Sequence, residues 1–308
     1  VIPLLPPLLL FPAPALAQPP DGAIVVTGRG LGDAPGEAAF DVVTLQRDRL
    51  ETAARLEEVL GDVAGLRLFR RSDASSANPT SQGVTLRALG GNASSRALIL
   101  LDGVPQTDPF GGWVSWPAYD PQRLAQVRVR RGGGSGVDGP GALAGTIALE
   151  SVGPSELSGV SASLLYGSRD SVEAHAGLGE RLGAGFLAVT GAYARGDGFV
   201  PVVAGQRGPV DRPSPYEQAS VAVRAVAPLP GGIELQASGL GFTDRRERGT
   251  ALSGISTDGA DASLRLVARR WSALAYVQTR AFYNSFASAN AARTAVTRTS
   301  EQYNLPST

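Results

Sequence analysis

The side chains able to do chemistry are few and of a narrow kind. All 28 basic residues are Arg, Cys and Met are absent, and the one His is His175. Without Lys there is no Walker-type phosphate loop, no Schiff base and no lysine general base. Without Cys there is no disulfide, thiolate nucleophile, zinc–thiolate cluster or iron–sulfur centre. A single His makes a His-rich metal site or a Ser-His-Asp centre hard to build. The sequence therefore predicts a protein that is not an enzyme, with no catalytic residues, metal site or cofactor. The same scarcity argues against direct capture of a bare soft metal ion and against haem ligation. The 28 acidic residues bring the formal charge to +0, which leaves no basic bias and predicts no nucleic-acid partner.

Two constellations remain. Between Asp108 and Asp120 the chain concentrates Phe110, Trp113, Trp116 and Tyr119. Aromatics on a loop suit stacking against a sugar ring, a catecholate or a macrocycle; the alternative is that they pack one part of the protein against another. The run Gly134-Ser135-Gly136-Val137-Asp138-Gly139 has the GxGxxG form and follows a strand-like stretch containing Arg128, Arg130 and Arg131. A dinucleotide site needs a helix opening there, whose free amides hold the pyrophosphate. Pro140-Gly141 follows instead, and the chain returns to a strand, so a glycine-rich excursion is expected.

Four segments must position these residues. Val1–Ala17 is apolar, Pro-broken, too short to span a membrane as a helix, and ends in Ala15-Leu16-Ala17, which predicts a signal peptide over 1–17 and export. Residues 18–37 read as a Pro/Gly/Ala tether, interrupted by the β-prone run Ala23–Gly28. Residues 38–151 predict a small α/β globule. Its strands are expected at Phe40–Leu45, Leu66–Phe69, Val84–Leu86, Leu98–Leu101, Gln126–Arg130 and Gly145–Leu149, with one helical stretch over Asp48–Val63 and a turn at Asp102-Gly103.

Residues 152–308 change to period-two alternation. Val160, Ala162, Leu164 and Tyr166 alternate with Ser161 and Ser163; Ile233, Leu235, Ala237 and Gly239 with Glu234, Gln236 and Ser238; Ala262, Leu264, Leu266 and Ala268 with Ser263, Arg265 and Arg269. Apolar-out, polar-in is what a transmembrane barrel strand needs. Tyr166, Tyr193, Tyr216, Phe242, Trp271 and Tyr283 fall where interfacial girdles would sit. Short connections at 179–183, 228–231 and 270–272 alternate with long ones expected at 196–215, 243–259 and 285–294, although a soluble sandwich also alternates its faces. About eight strands fit.

Three runs carry a family resemblance. Leu86-Arg87-Ala88-Leu89-Gly90-Gly91-Asn92 resembles the plug motif written IRGLGGN. Leu100-Leu101-Asp102-Gly103-Val104-Pro105 matches LLDGVP, and Leu124–Leu149 resembles the closing segment IERIEVVRGPxSALYGSGAxGGVINI. Their order and spacing over about a hundred residues are those of TonB-dependent outer-membrane receptors. Val137-Asp138-Gly139 stands where the family has Leu-Tyr-Gly, and Ala88 where it has Gly. The resemblance implies a β-rich fold: an α/β plug (38–151) followed by antiparallel transmembrane β-barrel strands (152–308), an incomplete barrel of about eight of about 22 strands. It implies that Ile24, Val25, Val26 and Thr27, within a TonB box near 23–28, pair with TonB and its inner-membrane energising complex, and that Arg87, Arg128, Arg130 and Arg131 meet the inner wall of the barrel. Residence in the Gram-negative outer membrane is implied, with plug and N-terminus facing the periplasm, lipid around the barrel, and a small-molecule or chelate ligand. Uptake of a ferric siderophore or cobalamin, or of a glycan, is the expected function. A non-transporting surface barrel or adhesin and a periplasmic enzyme or binding module are the alternatives.

Overall fold

The computed structural model describes residues 40–69, 82–87, 94–108, 111–134, 138–139 and 141–307. The expectations for residues 1–17, for the tether 18–37 and for Ile24–Thr27 lie outside these residues.

The first unit runs β1 (Asp41–Leu45), α1 (Arg47–Glu51), α2 (Leu56–Leu60), β2 (Arg67–Leu68), β3 (Val84–Thr85), β4 (Ala97–Leu101), β5 (Val104–Pro105), β6 (Leu124–Arg131) and β7 (Gly145–Ser151). Five strands form one sheet in the order β1-β6-β7-β4-β5, while β2 and β3 pair separately. Neighbours are antiparallel except β4 and β7, which run parallel. Ala97-Leu98-Ile99 and Gly145–Glu150 are buried without alternation, as strands covered on both faces must be. Leu50, Leu56, Val59, Leu60, Leu86, Ile99, Leu124, Ile147 and Leu149 fill one core, each worth about 1.5–3 kcal/mol of burial.

The helical stretch expected over Asp48–Val63 is two short helices. Thr52 Oγ1 hydrogen-bonds back to the carbonyls of Asp48 (3.4 Å) and Arg49 (3.3 Å), and Arg55 is extended at φ −140, ψ 144. A hydroxyl bonding its own turn competes with the helical ladder. The apolar spacing survives the break, because Leu50 and Leu56 still reach the same core.

Eight strands follow: β8 (Gly159–Gly167), β9 (Ser171–Leu182), β10 (Gly185–Gly196), β11 (Tyr216–Leu229), β12 (Ile233–Glu247), β13 (Gly254–Val267), β14 (Ser272–Ala289) and β15 (Val296–Ser307). Each pairs antiparallel with the next, and among the described residues the sheet stays open between β8 and β15. The expected alternation holds. Glu234 (4 % exposed) and Gln236 (3 %) face inward, whereas Val221, Val223, Leu264 and Val277 lie exposed on the outward face. No described helix is long and apolar enough to cross a membrane.

Two long loops are shorter than expected. β12 continues to Glu247 and β13 starts at Gly254, so most of 243–259 is strand, and β14 extends to Ala289. Polar side chains do not end a strand that can pair them across its face, as Arg245 and Asp258 do at 3.0 Å. The connection at 196–215 is long as expected. Phe242 is no girdle residue: on the inward parity of β12, it is 6 % exposed and joins the core of the first unit. Its cross-strand neighbour is Gly259, where a Cβ would stand 2.3 Å from the Phe242 ring.

Gly145 opens β7 at φ +143, and a Cβ there would lie 2.1 Å from the Arg130 carbonyl oxygen. Gly145→Ala is expected to destabilise the first unit by more than ~1 kcal/mol. The check is hydrogen exchange along β6 and β7, which should accelerate while β10–β13 keep their protection.

Candidate functional site

The five-stranded unit packs against the inward face of the eight-stranded wall, and this contact is where buried charge concentrates. It begins at the hairpin between β4 and β5, where Asp102 (φ 49) and Gly103 (φ 93) make the expected turn. That geometry matches the right-handed twist of the strands it joins. The turn presents the Asp102 carboxylate to the wall, where Arg224 Nη1 donates to Oδ1 at 2.9 Å. Ser151 supplies two more donors, its backbone N–H to Oδ1 (3.0 Å) and its hydroxyl to Oδ2 (2.6 Å). The two charged side chains are 12 % and 7 % exposed. Burial pushes the Asp102 carboxyl up, but Arg224 and the Ser151 donors outweigh it and hold the group below the usual carboxylate value.

Other contacts ring this one. Arg55 Nη2 meets Glu173 Oε1 on β9 at 2.6 Å, and His175 Nδ1 on the same strand lies 3.1 Å from Asp120 Oδ1. Gln122 Nε2 donates to Ser163 Oγ on β8 at 3.2 Å, which places Ser163 inward as its alternation requires. Gln278 Nε2 of β14 donates to the Pro105 carbonyl at 2.9 Å. Two residues further along β14, Arg280 pairs with Asp261 of β13.

Arg123 is the exception. It is 3 % exposed, and none of its three guanidinium nitrogens has a hydrogen-bond partner. Its carbon lies 5.7 Å from the Tyr119 ring centre. Burial pulls its pKa below the ordinary value, against the opposing fields of Asp120, Tyr119, Asp102 and Asp261. Nearby, burial also raises Tyr119, Glu150 and Glu57.

The residues singled out from sequence fall as follows. Trp116 and Tyr119 are each 2 % exposed, inside the core, and Tyr119 donates to Gln106 Oε1 at 2.9 Å. Trp113 is half-buried against Phe282 of β14, with ring centres 5.4 Å apart. In this arrangement Trp116 and Tyr119 lie in the core where the first unit meets the wall, and Trp113 packs on the wall itself. Phe110 lies outside the described residues. Arg87 is exposed at φ 57. Arg128, Arg130 and Arg131, expected to meet the wall, pair with Glu150 (3.2 Å), Asp138 and Asp41 (2.5 Å), all on the first unit. The placing is local: Asp41 and Glu150 lie on β1 and β7, which flank β6, and Asp138 lies between β6 and β7 in sequence. Asp138, at the position where an aromatic was expected, closes its loop through Arg130. The polar wall contacts described above come from Asp102, Arg55, Asp120 and Gln122, none of them among the sequence candidates; of those candidates, Trp113 meets the wall. One signal was available: Arg224 is a lone charge at inward parity within Val221–Val226. Among the described residues no group of three or more His, Asp or Glu is placed to hold a metal.

Residues 36–146 match the family model described as the TonB-dependent Receptor Plug Domain. No match is found among curated proteins. Among solved structures, the chain is similar to the ferric-catecholate import receptor Fiu from K12 E. coli (TM-score 0.61, 14% identity, 90% of this chain and 44% of that one). It is also similar to the ferric enterobactin receptor PfeA, of Pseudomonas aeruginosa (0.59, 15%, 85% and 44%), and to the siderophore receptor PiuA from Acinetobacter baumannii (0.58, 12%, 80% and 37%). The chain thus spans less than half the length of these receptors. At such identities the likeness is one of fold. The five-stranded unit is a plug domain, and the wall is part of an antiparallel barrel. Residues 36–146 thus match a TonB-dependent receptor plug, and the wall beside it shares the fold of the barrel strands in these structures.

Removing one member of a buried pair strands the other, at a cost of about 3–5 kcal/mol. Asp102→Asn should therefore weaken plug docking on that scale, read as faster exchange of the β4 and β7 amides in the purified protein. A depressed carboxyl contributes stability above its unfolded value, about 3.9, and loses it as pH falls through the lower folded value. The difference in protection between wild type and Asp102→Asn should hold steady from neutral pH down to about 4 and shrink below that. Glu57, raised by burial, acts in the opposite direction equally in both proteins; Glu150 is raised by burial and also by the Asp102 charge, so its rise is smaller in Asp102→Asn.

Proposed function

We propose that this chain forms the plug and adjoining wall of a TonB-dependent receptor of the Gram-negative outer membrane. In this reading it imports a scarce, large nutrient, and a ferric siderophore is the first choice. The observation that carries the proposal is a matched plug seated on the polar, inward face of a sheet whose outward face is apolar. A plug so placed blocks a lumen, and moving it opens a path. Three similar solved structures carry ferric or siderophore ligands in their names, which favours that cargo over cobalamin or a glycan.

The outer membrane has no ATP, so plug movement needs work from elsewhere. The role proposed for Ile24, Val25, Val26 and Thr27 is to pair with TonB as an added strand, held through backbone hydrogen bonds. The outward apolar side chains take lipid, and the plug faces the periplasm. Aromatic capture by Trp113 requires its ring to turn from Phe282 towards the lumen, and Phe110 is proposed to act with it. Trp116 and Tyr119 are proposed only as support beneath them. The chelated iron is cargo, so the protein itself needs no metal ligands.

The test replaces Val25 with Pro in the protein expressed from its own gene. Proline removes an amide donor that strand addition needs. Ferric-siderophore uptake should be abolished while binding to whole cells is unchanged; uptake at the wild-type rate rules the assignment out.

A further inference from the structure

The plug–wall contact contains one cation too many for its hydrogen bonds. Arg224 is committed to Asp102, and Arg280 to Asp261. Arg123 is buried in the same place, yet bonds to neither carboxylate nor to any other group. It lines a cavity between plug and wall together with Asp102, Gln106, Ser151, Thr190, Arg224 and Asp261. A buried guanidinium with five donors and no acceptor is costly, and a fold keeps such a group only if something offsets the cost. Here Asp102 and Asp261 line the same cavity without bonding it, and Asp120, three residues before it, adds its field. The side chain rests over the Tyr119 ring, a contact that holds a cation loosely compared with a bidentate carboxylate.

We propose that Arg123 is an exchange partner for Asp102: when the hairpin leaves Arg224, Arg123 takes over the carboxylate. Both Arg123 and Asp102 belong to the plug, so the new pair travels with it, whereas Arg224 stays on β11 of the wall. The plug can then part from the wall without exposing a bare carboxylate to a buried surface. The guanidinium suits this because its planar donors can re-form a two-point contact from a new direction. Arg123 directly precedes β6, and its carbonyl accepts from the Val152 amide at 2.9 Å, which fixes its backbone, while its side chain lines the cavity. This inference rests on the reading that the plug moves relative to the wall.

A double-mutant cycle in the purified, detergent-solubilised protein tests it without TonB or ligand, so its outcome is independent of the uptake experiment. The variants are R123M, R224Q and R123M/R224Q, and the readout is exchange of the β4 and β7 amides. R123M alone should leave protection at or above the wild-type level, since it removes an unbonded buried charge. R224Q alone should lose protection only modestly, because Arg123 covers Asp102. The double variant should exchange at least ~10-fold faster than the product of the two single effects, the signature of coupled sites. R123K/R224Q, which keeps a charge that can reach Asp102, should recover most of that loss. Additive effects overturn the proposal. So does an R123M protein whose plug amides exchange freely on their own, because Arg123 would then be part of the resting structure rather than held in reserve.

Discussion

A sheet that turns an apolar face outward has only its other face for polar side chains, and that face is what the plug must meet. The plug cannot dock through hydrophobic burial alone, since the wall offers Ser163, Glu173, His175, Arg224, Gln278 and Arg280. Burying such groups unpaired costs several kcal/mol each. Much of the contact across the interface is consequently a pairing of polar groups, and the plug surface carries matching ones at Asp102, Asp120, Arg55 and Gln122. The remaining features of the contact follow from this requirement.

An interface of this kind holds a domain in register without fusing it to its container. The apolar core of the plug is nearly self-contained, with Leu240 and Phe242 the wall's fully buried contribution to it. A second apolar cluster, Val152, Leu157, Phe186, Ala188 and Val226, seats the connection after β7 against β10 and β11. The plug is thus tied covalently and hydrophobically where it joins the wall, and held elsewhere by charge pairs together with a few apolar contacts such as Phe242 and Phe282. Polar pairs can be exchanged for others at little net cost, because their net worth is small compared with the penalty for leaving one member alone. A hydrophobic seam offers no such exchange.

The fold was legible because its signals are local. Asp102-Gly103 announces a tight turn, Leu98–Leu101 a covered strand, and the alternation from Val160 onward a wall with two unlike faces. Polar alternation misled where the strands outran it: Arg245 and Glu247 read as loop, yet pair across β12 and β13. The helix over Asp48–Val63 broke because a period of apolar residues records which side is buried, not whether the backbone turns without interruption. The site was less legible, and for a different reason. Arg128, Arg130 and Arg131 carried the right chemistry, but partner choice depends on which strands lie beside β6, and β1 and β7 are far from it in sequence or beyond a glycine loop. Asp102 stood in view within LLDGVP, its turn correctly placed, while its partner lay 122 residues away on β11.

The all-arginine composition bears on the same constraint. Arg47 Nη1 bonds the carbonyls of both Gln122 (2.5 Å) and Leu124 (2.7 Å), tying α1 to the start of β6. Arg224 spans Asp102 and the Ser151 carbonyl (3.4 Å), and Arg280 reaches Asp261 together with two backbone carbonyls. Each position needs several donors in fixed relative directions within a buried space. An ammonium is a more strongly hydrated point charge, with no plane to present. Replacing these arginines by lysine would keep the charge balance and lose the geometry. What these sites use, within the plug, within the wall and across their contact, is therefore the shape of the guanidinium as much as its sign, and the same shape lets one such group remain unbonded over an aromatic ring beside the carboxylates of its cavity.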